Sequence, residues 1–159
     1  MFLDLRLFLL VFVILFLYSC GIDVPEVDVK LNAPKGLKVE FTTNDTIKFN
    51  FWAYNNEDYF SGYVVFFSSN YSDLSDPTKP LIDKPVVVNQ VSFTLPTFTV
   101  EPFYEPRELS FELPLNSKDV NGNTIFYRGF SYYFAVSAYS YSKKIFSPMS
   151  NITNVVLTN

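Results

Sequence analysis

The chain has 159 residues, a net charge of −4, one cysteine and no histidine. Without histidine or a second thiol it lacks the commonest general base, the commonest metal ligand and any internal disulfide, which excludes histidine-based nucleophilic triads and thiolate zinc sites. The acidic balance argues against nucleic acid as a partner, and no glycine-rich phosphate loop or catalytic carboxylate pair stands out, so the reading is of a non-enzyme with no cofactor and no metal.

The first element is an apolar run from Leu7 to Tyr18, preceded by Asp4 and Arg6 and ended by Ser19 and Cys20. A membrane-crossing helix needs about 20 apolar residues, so this run is too short to span. Its length and its small-residue flank suit the h-region of a secretory signal helix. The tetrad Leu17-Tyr18-Ser19-Cys20 resembles the lipobox of bacterial lipoproteins. That resemblance implies cleavage before Cys20 and attachment of a diacylglycerol to its sulfur, a step that needs a thiolate. It also implies a bacterial cell-envelope location, with the membrane as a partner through acyl chains that include palmitate. Gly21, where an aspartate would signal inner-membrane retention, favours the outer membrane. The alternative is an ordinary secretory signal with a chance cysteine.

Residues 1–19 therefore read as a signal peptide, and residues 20–33 as a lipidated tether carrying Pro25, Asp23, Glu26 and Asp28. From there strand patterns take over. Residues 37–41 and 46–51 alternate apolar and polar, and residues 62–69 form a β-rich run. Residues 86–95, 107–115, 130–140 and 154–158 follow, separated by proline, asparagine, aspartate and serine. About seven short strands punctuated by turns predict an all-β antiparallel sandwich over residues 34–159. The long section from 70 to 115 reads as an enlarged loop with an extra edge hairpin.

Several of these stretches resemble a fibronectin type III domain. "APKGLKVEF" is similar to its opening, "SGYVVFFS" to its third strand, and "YYFAVSA" to its sixth, through Tyr132, Phe134, Val136 and Ala138. "SPMSNITNVVLT" is similar to its close. Other immunoglobulin-like sandwiches share much of this pattern. The family usually carries a tryptophan on the inner face of its second strand. Here Phe51 holds that parity, so Trp52 faces outward unless a bulge intervenes.

Strand parity then yields a candidate surface. With Tyr63, Val65, Phe67, Tyr132, Phe134 and Val136 inward, the opposite face carries Val64, Phe66, Tyr133 and Tyr139. Left open, such an aromatic face marks an interaction surface; alternatively the inserted segment around residues 84–106 folds over it. Asp73, Asp76 and Asp83 share one loop that reads as solvated rather than calcium-binding. The resemblance implies a membrane-anchored binding module for a protein or glycan. The alternative is a structural or assembly subunit of an envelope complex, facing the periplasm.

Overall fold

The computed structural model describes residues 29–87, 96–119 and 121–158. The expected signal segment, Cys20 and most of the expected tether lie outside these residues, as does most of the strand expected over 86–95. Among the described residues eight strands, one short α-helix and one turn of 3-10 helix (Leu81–Asp83) follow in order: β1 (Lys35–Phe41), β2 (Thr46–Ala53), β3 (Gly62–Ser68), α1 (Tyr71–Ser75), then the 3-10 turn, β4 (Phe98–Thr99), β5 (Arg107–Pro114), β6 (Ser131–Ser140), β7 (Ile145–Phe146) and β8 (Thr153–Val156). They form two antiparallel sheets. One has the order β1-β2-β5; the other has the order β4-β3-β6, with β7 and β8 both paired to β6. The molecule is an all-β sandwich.

Alternation on β2 buries Ile47, Phe49, Phe51 and Ala53 and turns Trp52 outward. The register shift in this sheet falls on β1 instead, between Lys35 and Lys38. Gly36 sits there at φ +63, a left-handed conformation that glycine adopts without steric cost. The inner faces of the two sheets meet through aromatic rings. Phe49 packs edge-on to Phe134 at 5.3 Å between centroids, and Phe98 stacks on Phe111 at 4.3 Å. Such offset and edge-on pairs contribute about 0.5–1.5 kcal/mol each beyond area burial.

Both edges of the larger sheet are interrupted. Beside β3, Val86 stands opposite Phe66, and continuous pairing would bring residue 89 opposite Tyr63; Phe98 stands there instead, nine residues on. The Thr97 hydroxyl closes the gap: it accepts from the Val65 N–H at 3.0 Å and donates to the Val87 carbonyl at 2.8 Å. At Gly62 the strands approach so closely that a Cβ would lie 2.1 Å from the Phe98 carbonyl oxygen. On the far side of β6, continuous pairing from Phe146 opposite Tyr139 would bring Asn151 opposite Phe134; Thr153 stands there, two residues on. Ser147 Oγ accepts from the Ala138 N–H at 2.9 Å and Ser150 Oγ from the Val136 N–H at 3.0 Å, so side chains satisfy the donors of β6 across the step.

Asn151 joins the two sheets. Its Oδ1 accepts from the Leu37 N–H at 2.8 Å, and its Nδ2 donates to the Leu37 carbonyl at 3.0 Å. The amide thus reproduces the paired bonds of a neighbouring strand and holds β1 against the β8 side. Asn151→Ala leaves both Leu37 groups without these partners and should lower the unfolding free energy by about 1–3 kcal/mol, read as a lower urea midpoint at unchanged slope.

Candidate functional site

The sandwich has two dissimilar ends. The described chain arrives at the end formed by residues 54–61, 100–106 and 141–144. There the Tyr59 hydroxyl donates to the Lys30 carbonyl at 3.0 Å, Leu31 is buried in the core, and Asn32 Nδ2 donates to Glu57 at 3.3 Å. Asn55, fully buried, anchors the loops: its Nδ2 donates to the Asn32 carbonyl at 3.3 Å and its carbonyl accepts from the Phe103 N–H at 2.8 Å. Its Oδ1 accepts from the Tyr63 hydroxyl at 2.9 Å. Tyr63 lies edge-on to Phe51 and Phe60, at 5.0 and 5.2 Å.

Burial pushes the Tyr63 phenol far above its ordinary value, with Arg107 pulling it down and Glu57 adding to the rise. The buried phenol stays neutral in alkali while the unfolded one ionises near pH 10. Its contribution is therefore complete below that pH and is lost as pH rises. Burial raises Tyr139 as well, reinforced by Tyr141. Stability should fall above about pH 10, and Tyr63→Phe should flatten the fall in alkaline urea titrations while costing about 1–3 kcal/mol at neutral pH through the stranded Asn55 oxygen.

The face that carries Val64 and Phe66 is covered rather than open. Val64 and Phe66 are buried, while Tyr133 and Tyr139 are half-buried, in a second apolar cluster with Leu74 and Ala135. Parity is as expected, with Val64, Phe66, Tyr133 and Tyr139 on the side away from the main core; their expected exposure is corrected. The cover comes from Leu74 of α1, Leu81 and Val86 of the following segment, and Phe146, Met149 and Ile152. It draws on residues 71–87 and 146–152, so of the two readings the covered face holds, with Lys84 and Val86 of the inserted segment contributing to the cover.

Lys84 holds this cover in place. It is buried, and its ammonium donates to the carbonyls of Leu74 and Asp76, both at 2.8 Å, and of Asp73 at 3.4 Å. A cation at the C-terminus of a helix satisfies carbonyls that have no partner within it. The aspartates of this loop serve local geometry. Asp73 accepts from the Ser68 hydroxyl at 2.6 Å, and Asp76 accepts from the Thr78 N–H and hydroxyl, which lowers the Asp76 carboxyl. Phe66→Ser should therefore cost about 3–5 kcal/mol, the scale of emptying a packed aromatic site, and should be measurable by urea unfolding.

The opposite end carries a cleft. The β1–β2 turn, the end of β5 and the segment 117–130 meet there, around a volume of about 450 Å³ lined by Asn44, Asp45, Thr46, Asn116, Thr124 and the buried Phe126, among others. Asp45 occupies a left-handed conformation at φ 59, and its carbonyl accepts from the Leu115 N–H at 2.9 Å, tying the turn to the end of β5. Beside the cleft lies a smaller hollow of about 290 Å³ between Phe41, Thr42, Thr43, Arg128 and Thr158, which Asp45 also lines. The ion pair of Arg128 with Asp45 stands between them. Arg128 also donates to the Thr158 carbonyl at 3.0 Å and lies 5.5 Å over the Phe41 ring.

Two exposed aromatic rings flank this end. Tyr127 and Phe130 lie 6.5 Å apart, edge to face. Tyr127 is set by its N–H, which donates to the Tyr132 hydroxyl at 3.0 Å, and by its own hydroxyl, which donates to the Thr124 carbonyl at 3.1 Å. The lining offers amides, hydroxyls, one ion-paired carboxylate and a guanidinium beside aromatic rings. Such a set can recognise hydroxyl and amide groups. Strand patterning could not find this cleft, because it joins turns that lie some eighty positions apart in the chain.

A scan against protein-family models finds no match, and a search of curated proteins finds none either.

Proposed function

We propose that this chain is a bacterial lipoprotein, anchored in the cell envelope through Cys20, and that its sandwich is a fibronectin type III-like module that binds a protein or glycan at the Asp45–Arg128 end. The observation that carries this reading is the opposition of the two ends. The tether enters at the Lys30–Leu31 end, and the polar cleft with its aromatic flank lies at the other, turned away from an anchor at Cys20. The strand order supports the subtype: three strands, β1-β2-β5, face a sheet in which the third and sixth strands are neighbours. In that family the sandwich serves mostly as a binding scaffold. Fold alone does not assign a ligand, and the cleft supplies the recognition argument.

The alternative, an assembly subunit of an envelope complex, drew on an open aromatic sheet face. With Val64 and Phe66 buried beneath α1 and residues 81–87, that surface no longer supports it.

Two measurements test the proposal. Cys20→Ala should abolish metabolic palmitate labelling and release an unprocessed or soluble form, and persistent labelling would refute the anchor. Tyr127→Ala with Arg128→Ala should weaken glycan-array or crosslinked-partner binding by about tenfold or more, the scale of an interface hot spot. Binding unchanged in the double variant would remove the cleft from the proposal.

A further inference from the structure

Among the described residues, large exposed apolar side chains stand at both ends of the sandwich. At the end where the chain arrives they are Trp52, Tyr104 and Tyr141, exposed by 54%, 74% and 48%. They come from three separate elements: the end of β2, the segment between β4 and β5, and the residue after β6. Each has an apolar ring with one polar atom, the type enriched where bilayer meets water. The opposite half exposes Tyr71 and Tyr127 together with Phe130 and Val156, so the arriving end is singled out by the sole tryptophan and by the entry of the chain.

We propose that this end rests on a lipid bilayer, with Trp52, Tyr104 and Tyr141 seated at headgroup level. The inference depends on the anchor at Cys20, which sets its geometry. Nine residue steps separate Cys20 from Val29. Fully extended they reach roughly 30 Å, and any slack brings the domain closer. Lys30, Leu31 and Asn32 are already bonded or packed into this end. β6, with ten residues, is itself about 33 Å long, so with this end seated the Phe130 end lies about a sandwich length farther out.

Charge leaves the contact to the rings. The exposed cations Lys30, Lys35, Arg107, Lys143 and Lys144 are matched in number by the exposed acids Asp58, Glu101, Glu105 and Glu108 together with the half-buried Glu57. Seating should therefore occur on neutral zwitterionic lipid and resist salt, unlike a polybasic contact with anionic lipid.

Trp52 is the chain's sole tryptophan, which makes it a built-in reporter. The acylated full chain is reconstituted into phosphatidylcholine vesicles, with flotation to establish attachment. Trp52 emission should shift to the blue relative to the soluble Cys20→Ala protein, and lipids brominated near the headgroup should quench it. A Phe130→Trp reporter in a Trp52→Tyr background should show neither effect. Protein that floats while Trp52 emission stays solvent-like overturns the seating and leaves the anchor intact. Equal quenching of both reporters overturns the orientation. Protein that fails to float and carries no acyl chain overturns the anchor and this inference together.

Discussion

The packing of aromatic rings between the two sheets is the interaction on which the rest of this molecule depends. The only thiol is Cys20, so no internal disulfide staples the sandwich. Phe49 meets Phe134 across the sheets, Phe98 stacks on Phe111, and Phe126 lies against Phe67, Tyr132 and Phe134. Much of the chain's unusual supply of phenylalanine and tyrosine is consumed here. Tyr63 carries the one phenol held deepest in this layer, and Asn55 answers it. That bond couples the core to the loops that receive the incoming chain, so the layer also fixes the geometry of one end.

Since face-to-face packing carries the stability, the ends are free to differ. One end is knitted from the side-chain amides of Asn32 and Asn55 and the Glu57 carboxylate that accepts from both, pinning the chain where it arrives. The other is open, with an Asp45–Arg128 pair dividing two hollows. Arg128 has three neighbours of different kinds: a carboxylate, a carbonyl and a ring. A guanidinium held in this way has lost most of its conformational freedom before any ligand arrives, which lowers the entropy cost of using it in recognition.

Strand direction was legible in the sequence wherever alternation was strict. Ile47, Phe49 and Phe51 face inward and Trp52 outward because a pleated strand allows nothing else. The same parity separated Val64 and Phe66 from Tyr63 and Val65. It was silent on what lies above a face. The cover of Val64 and Phe66 is aperiodic, made by a five-residue helix, a buried Lys84 and a short extended segment. Lysine is rarely so buried, and nothing in its local sequence announces the three carbonyls that receive it. The two-residue β7 and the step before β8 were missed for a related reason. Ser147 and Ser150 read as turn residues, whereas in the fold their hydroxyls stand in for backbone partners. The cleft at Asp45 depends on the meeting of distant turns, which periodicity does not encode.

The broken borders of the sheets have a consequence for how copies of this protein meet one another. An unpaired strand border is a template onto which a second chain can add, and that is the usual start of β-aggregation. Among the described residues the larger sheet offers no long regular border: beside β3 the pairing passes from Val86 opposite Phe66 to Phe98 opposite Tyr63, and beside β6 it steps at Pro148. On the smaller sheet, β1 is bulged at Gly36 and occupied by Asn151, while β5 carries Arg107, Glu108, Glu112 and Pro114. Exposed aromatic side chains favour contact between copies, and each of the four borders blunts strand addition by a different device.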